Sequence, residues 1–385
     1  MGISGSAFIA GAYEHPLRVI PDKSLAQVHA EVAAGALADA GLEFGDVEGY
    51  FCAGDAPGFG AISMADYMGL KLKHTDTTET GGSSYLAHVG HAMEAIHAGK
   101  IRIALVTLAG LPRQGGANLQ MPPMSMPEAG FELVYGVSVP ALYALAAKRH
   151  MHEYGTTSEQ LAWIRVAAST HAQYNPNAMF QKVATVEDVV NSPMVADPLH
   201  RLDCCVISDG GGAVVVVSPD VAKGLERHTV KVLGHGESVK HASNGRIDVT
   251  FTGAVRSGAA AYEEAKLGPS HIQYASIYDS FTITVLEAIE DLGFCEKGRG
   301  GQFVADGGLI SPTGRLPFNT DGGGLTNNHP DNRGGMTKIL EAVRQLRGEA
   351  HPAVQVPDCE IALAHGTGGS IGTRMGSATL ILGRD

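Results

Sequence analysis

The sequence is poor in positive charge and in cysteine, and each deficit excludes a class of protein. The 385 residues include 28 Lys and Arg against 40 Asp and Glu, which gives a formal net charge of −12. Nucleic-acid binding requires neutralisation of phosphates, so an acidic chain without a basic run argues against it. The five cysteines form no Cys-x-x-Cys pair, which argues against a disulfide framework and a zinc site. These cysteines are Cys52, Cys204, Cys205, Cys295 and Cys359.

Long hydrophobic runs are also missing. No apolar stretch approaches the roughly 20 residues that a helix needs to cross a bilayer. The segment 1–10 has no charged region ahead of a long apolar run, so it is interpreted as a first strand and not as a secretory signal. Hydrophobic residues make up 44% of the chain and charged residues 18%, as in globular proteins with a large core. We therefore expect a cytoplasmic protein without a membrane span.

What the sequence does contain is an alternation of apolar runs and helical segments, separated by clusters among its 50 glycines. Apolar strands that alternate with helices predict an α/β protein whose sheet is covered by helices. The predicted helices are 26–40, 84–98, 140–154, 158–173, 254–267, 282–292 and 336–347. The predicted strands are 47–52, 101–109, 213–218, 230–235, 274–278, 361–365 and 377–382.

The element order runs through two similar rounds, which predicts two α/β halves at residues 1–225 and 226–385. A loop-containing insertion is expected within the first half, at about residues 111–192. It begins with the long proline- and methionine-rich segment 111–132, and loops of this length in compact domains are usually functional. The methionines Met121, Met124 and Met126 favour either a bulky hydrophobic group or a protein interface as the contact of this loop.

Three glycine-framed segments are candidates for chemistry. Residues 77–87 precede or begin a helix, whose free N–H groups and dipole can stabilise an anion, although a serine-capped helix start is the alternative. Residues 319–330 place His329 after a glycine run, where it can exchange a proton or be only a polar loop residue. Residues 364–369 carry His365 at the end of an apolar strand, where α/β sheets bind ligands.

Together these segments resemble the thiolase superfamily, in particular the sterol-carrier-protein-type thiolases and their lipid-transfer-protein relatives. The most specific marker is the segment 195–210, and the segments 143–146 and 174–178 add to it. The resemblance covers nearly the whole chain. It implies a duplicated five-layered αβαβα double domain that normally forms a homodimer, in agreement with the two rounds of elements.

The resemblance also places the family's catalytic motifs on this sequence, with both cysteines missing. The segment 81–84 is similar to the helix start that carries the nucleophilic cysteine, and Gly81, or Gly82 with a one-residue gap, stands in its position. The segment 365–368 is similar to the Cys-x-Gly motif, where His365 replaces the second cysteine. The segment 278–281, Tyr-Asp-Ser-Phe, is similar to the Asn-Glu-Ala-Phe or His-Asp-Cys-Phe motif. The segment 328–330, Asn-His-Pro, is similar to the Gly-His-Pro motif and retains its histidine.

Glycine has no side chain to acylate, and a serine hydroxyl is far less acidic than a thiol, so a covalent acyl intermediate is not expected. The resemblance instead favours retro-aldol cleavage of a β-hydroxyacyl-CoA, or its reverse, through an enolate, as in thiolase-like aldolases that shorten steroid side chains. Coenzyme A would be part of the substrate, with no permanently bound cofactor and no metal.

Each retained or replaced side chain has an expected role in that reaction. Tyr278 is the candidate acid and base on the substrate hydroxyl, with a strand-end core tyrosine as the alternative. His329 would bind the thioester oxygen, His365 is an alternative base, and Asp279 would orient its neighbours. An oxyanion hole needs only backbone donors, so the remaining candidates for oxyanion and substrate binding are Gly81, Gly82, Ser83, Ser84, Gly368 and Gly369.

Two other functions remain open from the sequence. One is an acetyl-CoA C-acyltransferase, a thiolase with a displaced nucleophile. The other is a non-catalytic subunit that binds lipid or acyl-CoA. The resemblance further implies a small acyl-CoA-binding partner of zinc-ribbon and OB-fold type.

Overall fold

The computed structural model describes residues 3–114, 133–136, 138–241, 247–330, 334–370 and 374–385. Its strands are β1 (Phe8–Glu14), β2 (Gly49–Phe51), β3 (His74–Asp76), β4 (Ile103–Gly110), β5 (Met194–Ala196), β6 (Leu199–His200), β7 (Gly210–Val217), β8 (Val230–His241), β9 (Tyr274–Ile277), β10 (Ile361–Ser370) and β11 (Arg374–Arg384). Its helices are α1 (Leu25–Ala40), α2 (Ala61–Met68), α3 (Ser84–His97), α4 (Val139–Tyr154), α5 (Ser158–Ala172), α6 (Val186–Val190), α7 (Pro219–Ala222), α8 (Ala254–Ala265), α9 (Thr282–Asp291), α10 (Gly300–Val304), α11 (Gly323–Thr326) and α12 (Gly335–Arg347).

Both ends of α1 are defined by local contacts. The hydroxyl of Ser24 accepts from the Gln27 N–H before α1, and Gly41 ends that helix in the left-handed conformation at φ 70°. The larger differences are in strands. The strands β8 and β10 run six and five residues past their predicted ends, because the predicted strands stopped where polar residues and glycines begin. Backbone pairing with β11 continues through these residues.

One nine-stranded sheet has the order β3-β2-β4-β7-β1-β8-β11-β10-β9. In its first part β1 is antiparallel to β7, β7 is antiparallel to β4, and β4 is parallel to β2. The same pattern recurs where β8 is antiparallel to β11, β11 is antiparallel to β10, and β10 is parallel to β9. The strands thus repeat one pairing scheme in the two rounds, while the domain boundary at residue 225 stays a prediction.

Helices cover both faces of each half of this sheet. The helices α3 and α12 share one buried cluster with strands of both halves, so they form the central layer. The helices α1 and α2 pack on the outer face of the first half, and α8 and α9 pack on the outer face of the second. The resulting order of layers is αβαβα. Among the described helices, none has both the length and the hydropathy to cross a membrane.

The described part of the predicted insertion contains helices. The side chains of Tyr143 in α4 and Ile164 in α5 are buried in the same cluster as Ile283 and Leu286 of α9. This segment therefore precedes β7 in the chain but packs against the second half. Residues 115–132 of the predicted loop, with Met121, Met124 and Met126, lie outside the described residues.

Candidate active site

A buried tyrosine–histidine pair lies just past the end of β9. Tyr278 follows the last residue of that strand, and its N–H donates to the His365 carbonyl at 2.9 Å. The Tyr278 hydroxyl lies 2.9 Å from Nε2 of His329, and the two rings meet edge to face with centroids 5.4 Å apart. Both side chains are buried. Two of the candidate residues, 51 positions apart in the sequence, are therefore in direct contact.

Asp279 fixes the loop that carries His329. Its two carboxylate oxygens accept from the N–H groups of Gly324 at 2.8 Å and Leu325 at 3.0 Å, in the short helix α11. Nζ of Lys338 approaches one of these oxygens to 2.9 Å, and both charged side chains are almost fully buried. A Cβ added to Gly323 would overlap the Asp279 carboxylate, so this close approach requires glycine. The contacts support the expected orienting role of Asp279.

The backbone of Gly82 lies against the Tyr278 ring. A Cβ added to Gly82 would overlap Cε2 of Tyr278 and would lie 2.5 Å from the Thr367 carbonyl oxygen. Gly81 instead has φ 67° and faces Gly368, whose Cα would be 2.8 Å from an added Cβ. Of the two glycines that the resemblance offers for the cysteine position, Gly82 is the one beside the pair. The tyrosine ring occupies space that a side chain at residue 82 would need.

The hydroxyls of Ser83 and Ser84 are used within the turn before α3. Oγ of Ser83 donates to the Thr80 carbonyl at 2.8 Å, and Oγ of Ser84 accepts from the Thr80 N–H at 2.8 Å. The Gly81 N–H donates to the Glu79 carboxylate at 2.7 Å. These bonds hold the turn in place. Both serine hydroxyls are therefore engaged with Thr80.

The glycines 368 and 369 lie against the same turn. A Cβ added to Gly368 would overlap the Thr80 carbonyl oxygen, and Gly369 has φ 76°. The Gly369 carbonyl oxygen accepts from the Tyr143 hydroxyl at 3.4 Å, a long hydrogen bond. Gly368 therefore lets the end of β10 approach the turn closely, while Gly369 takes up a left-handed backbone conformation.

The side chain of His365 points away from the pair. Side chains alternate along a strand, and Gly366 faces the Gly82 carbonyl and α3, so His365 faces the opposite side of β10. There its Nδ1 lies 2.9 Å from the Thr379 hydroxyl, which is 3.0 Å from that of Ser257 in α8. Burial lowers the pKa of His365 to about 3. This placement corrects the expectation that His365 is an alternative base, because only its backbone contacts Tyr278.

The cysteine nearest to the motif 278–281 is not prepared as a nucleophile. The Cys205 N–H donates to the Ser280 carbonyl at 2.9 Å, which places this residue beside the motif. Burial raises the pKa of the Cys205 thiol far above its usual range, and it raises that of Cys204 to about 12. Reactive cysteines have lowered pKa values, because the thiolate is the attacking species. Within the described residues, no group of three or more His, Cys, Asp or Glu side chains is arranged to hold a metal ion.

Comparisons with known proteins decide the family. Residues 236–384 match the family described as thiolase C-terminal domain-like. A steroid side-chain-cleaving aldolase of Thermomonospora curvata is 35% identical over 399 residues, which cover 100% of this chain and 99% of the relative. The chain belongs to the thiolase superfamily. Another superfamily relative, an acetyl-CoA acetyltransferase of Methanothermobacter thermautotrophicus, is 36% identical over 360 residues, or 91% of this chain and 93% of the relative.

Solved structures agree with this assignment. The structure of an Ltp2-ChsH2(DUF35) aldolase covers 100% of this chain and 99% of its own, with a TM-score of 0.90 and 34% identity. The predicted superfamily, its lipid-transfer-protein-like aldolase branch and the αβαβα fold are confirmed. The prediction of a thiolase-like enzyme that makes or breaks a C–C bond is also confirmed at the level of the relatives' activities.

Several residues that support the thiolase-like site were not singled out from the sequence. Lys338 forms the ion pair with Asp279, and Gly334 lies where an added Cβ would be 3.3 Å from both Tyr278 and His329. Ser208 accepts from the His329 N–H at 2.8 Å. A departure from the motif was visible at Asn328, which stands in the place of the glycine in Gly-His-Pro. The hydrogen-bond partners of Asn328 are far away in the sequence.

Proposed function

We propose that this enzyme cleaves a β-hydroxyacyl-CoA by a retro-aldol reaction, giving a carbonyl compound and a shortened acyl-CoA. The observation that carries the proposal is the 2.9 Å contact between the Tyr278 hydroxyl and Nε2 of His329, beside a glycine instead of a nucleophile. The similarity to a steroid side-chain-cleaving aldolase over the full length supports the same reaction.

The pair acts as a proton relay. The β-hydroxyl of the substrate gives its proton to the Tyr278 oxygen while the Tyr278 proton moves to Nε2 of His329. The Cα–Cβ bond then breaks, its electrons form the enolate of the thioester, and the former hydroxyl carbon becomes a carbonyl. The proton returns from His329 through Tyr278 to Cα. The reaction consumes no water and no oxidant, and no covalent intermediate forms.

The environment of Tyr278 favours a relay over a stable phenolate. Burial raises the pKa of Tyr278 well above its usual 10, and the neighbouring Cys205 and Tyr143 add to the shift. A phenolate would therefore be scarce at neutral pH. Passing a proton through the hydroxyl in one concerted step avoids that charged state, provided that Nε2 of His329 starts unprotonated.

The geometry changes one expected role. His329 was expected to bind the thioester oxygen, but its Nε2 already faces the Tyr278 hydroxyl. In the proposed mechanism His329 is the proton acceptor. The enolate oxygen is instead stabilised by the Gly82 N–H and the positive end of α3, since backbone donors and a helix start both favour developing negative charge.

The test is cleavage of a synthetic β-hydroxyacyl-CoA, followed by chromatography of the carbonyl and acyl-CoA products. Tyr278→Phe and His329→Gln are expected to lower kcat roughly 10²- to 10⁴-fold, the usual contribution of a positioned acid or base. Tyr274→Phe is the matched control. It removes a buried hydroxyl from the same strand, where that hydroxyl accepts from Thr320 at 3.3 Å. Equal losses in all three variants would contradict the relay.

Acyl transfer is a second candidate, favoured by the similarity to an acetyl-CoA acetyltransferase. Incubation with an acyl-CoA and intact-mass measurement separates the two reactions. Retro-aldol chemistry predicts no acyl adduct, whereas an adduct that disappears in Cys205→Ala would establish a displaced nucleophile. The third candidate, a non-catalytic lipid- or acyl-CoA-binding subunit, predicts that Tyr278→Phe and His329→Ala leave the biological activity unchanged.

We also propose a homodimer and a small acyl-CoA-binding partner of zinc-ribbon and OB-fold type. The similar solved structure, an Ltp2-ChsH2(DUF35) aldolase, supports the idea of a partner. Light scattering of the purified protein, alone and after co-expression with a candidate partner, tests both assemblies. A monomer that cleaves substrate at full rate without a partner would contradict them. The cytoplasmic location stays a prediction from the sequence.

A further inference from the structure

We propose that Asn328 is a positioning residue, which fixes His329 by connecting it through Ser208 and Glu14 to the first half of the fold. The connected residues, Glu14, Asn328 and Ser208, are named the Asn328 clamp here. The inference rests on the proposed function, because it assigns the clamp the task of holding His329 against Tyr278.

The clamp begins at the backbone of the catalytic histidine. Oγ of Ser208 accepts from the His329 N–H at 2.8 Å and donates to Oδ1 of Asn328 at 2.9 Å. Ser208 also forms a parallel bridge with Pro330, the residue on the other side of His329. The side chains of Ser208 and Asn328 are fully buried, so water does not compete for these bonds. The backbone of His329 is therefore fixed on both sides.

The clamp ends at a charge cluster in the first half. Nδ2 of Asn328 donates to Oε1 of Glu14 at 2.8 Å. The Glu14 carboxylate also accepts from Arg18 at 2.8 Å and from Arg344 at 2.8 Å. Burial alone would raise the pKa of Glu14, but the two guanidinium groups lower it to about 2. The acceptor of the Asn328 amide is therefore a carboxylate that two guanidinium groups hold in place.

Arg18 adds a second attachment one residue earlier in the same loop. Its Nε and Nη2 donate to Oδ1 of Asn327 at 3.1 Å and 2.9 Å. Two consecutive asparagines before His329 are thus held by two side chains from the end of β1 and the segment after it. The loop that carries His329 contacts the first half through side chains as well as backbone.

Glycines in the first half make room for the clamp. A Cβ added to Gly210 would lie 2.7 Å from Oδ1 of Asn328, and one added to Gly110 would lie 2.9 Å from the Pro330 carbonyl oxygen. A glycine at residue 328, as in the Gly-His-Pro motif, has no side chain to reach Glu14. The asparagine therefore supplies a connection that the glycine form of the motif lacks.

This connection fixes the distance between His329 and Tyr278. A proton moves between two heavy atoms only within hydrogen-bond distance, and a misplacement of about 1 Å in a site can cost about 100-fold in rate. Asn328 touches none of the reacting atoms in the proposed relay. It acts through the backbone of His329, and its loss should lower kcat without weakening the binding of the acyl-CoA.

The experiment compares Asn328→Gly and Ser208→Ala with Ser311→Ala, whose buried hydroxyl donates to the Val354 carbonyl at 2.7 Å. We expect kcat for the β-hydroxyacyl-CoA to fall roughly 10- to 100-fold in the first two variants, with KM within about threefold. Ser311→Ala should keep kcat within about twofold. A fall in thermal stability with unchanged kcat in all three variants would show a purely structural role and overturn the proposal.

A double variant that exchanges the donor and the acceptor between residues 328 and 14 tests whether kcat can be rescued. Asn328→Asp places a carboxylate against Glu14 and should lower kcat, whereas the double variant N328D and E14Q restores one acceptor and one donor at this contact. Partial recovery of kcat in the double variant supports the clamp, and no recovery contradicts it.

A measurement that does not require catalysis separates this proposal from the proposed function. The ring nitrogens of His329 in ¹⁵N-histidine-labelled protein, assigned with His329→Gln, report its tautomer and its bond to Tyr278. We expect Asn328→Gly to shift the Nε2 resonance and Ser311→Ala to leave it unchanged. If the wild-type protein fails to cleave the substrate but the shift occurs, the retro-aldol function fails while the clamp stands. An unchanged resonance in Asn328→Gly overturns the clamp.

Discussion

The two faces of β10 differ sharply near its end, although the same few residues form both. On one face Gly366 and Gly368 carry no side chain, so β10 packs closely against Gly82 and the turn before α3. On the other face the ring of His365 is fully buried and contacts the Thr379 hydroxyl, which in turn contacts Ser257 of α8. The first face is the site face, and the second is the core face.

The difference shows that the position of a residue in a motif does not fix the direction of its side chain. Adjacent residues in a strand point to opposite sides of the sheet. The backbone of His365 contributes to the site face, since its carbonyl accepts from the Tyr278 N–H. Its imidazole belongs to the core. The site face is built from close backbone approaches, with Tyr278 and His329 as the two side chains of the proposed relay.

The largest effect on the site face is expected from Lys338→Met. This substitution leaves the buried Asp279 carboxylate without its cation, and breaking a buried ion pair costs about 3–5 kcal/mol. Chemical denaturation of the variant should show that loss, together with lower cleavage activity, because Asp279 holds α11 and the His329 loop. The matched control is Lys73→Met, which removes an exposed ammonium group from the surface pair with the half-buried Glu48, and there the loss should stay below about 1 kcal/mol. Equal losses of unfolding free energy in both variants would show that Lys338 is not needed to stabilise the buried Asp279 carboxylate.

Gly82→Ala tests the close approach on the site face directly. The added methyl group would overlap Tyr278 and lie 2.5 Å from the Thr367 carbonyl, so the ring or the backbone beside it must shift and the contact with His329 is disturbed. We expect kcat for retro-aldol cleavage to fall about 100-fold. The stability should fall by about 1–3 kcal/mol, as in overpacked cores.

Gly45→Ala is the control for this variant, since an added Cβ there meets no atom within 4 Å. Its kcat should match that of the wild type. A Gly82→Ala enzyme with wild-type kcat would show that the contact between Gly82 and the ring is not needed for catalysis.

The sequence was sufficient for the main elements and for grouping Tyr278 with His329. Apolar runs and glycines predicted the main helices and strands, and the motifs named both residues as candidates for one site, where the structure brings them into contact. It was not sufficient for contacts between distant segments. Glu14 and Asn328 are 314 positions apart, and nothing near either residue indicates the other. A motif gives the order of its residues but not the direction of their side chains, and the direction of His365 follows from the alternation along β10.

The smallest effect is expected on the core face, and it depends on pH. The pKa of His365 is about 3 in the folded protein, against 6.5 as its ordinary value. The unfolded chain therefore binds a proton that the folded protein does not bind between about pH 6.5 and pH 3. Stability from the neutral ring is complete above pH 6.5 and is lost as the pH falls through this window, by up to about 1.4 kcal/mol per pH unit.

His365→Asn removes this titration and retains a polar group near Thr379. The slope of unfolding free energy against pH between pH 4 and 6 should therefore be shallower than in the wild type, while cleavage activity at pH 8 stays within about threefold. His97→Asn, at the exposed end of α3, is the matched control for the substitution itself. Urea denaturation at half-unit steps of pH measures both variants. A large loss of kcat in His365→Asn, at unchanged stability, would place the ring on the site face after all and remove the distinction between the two faces.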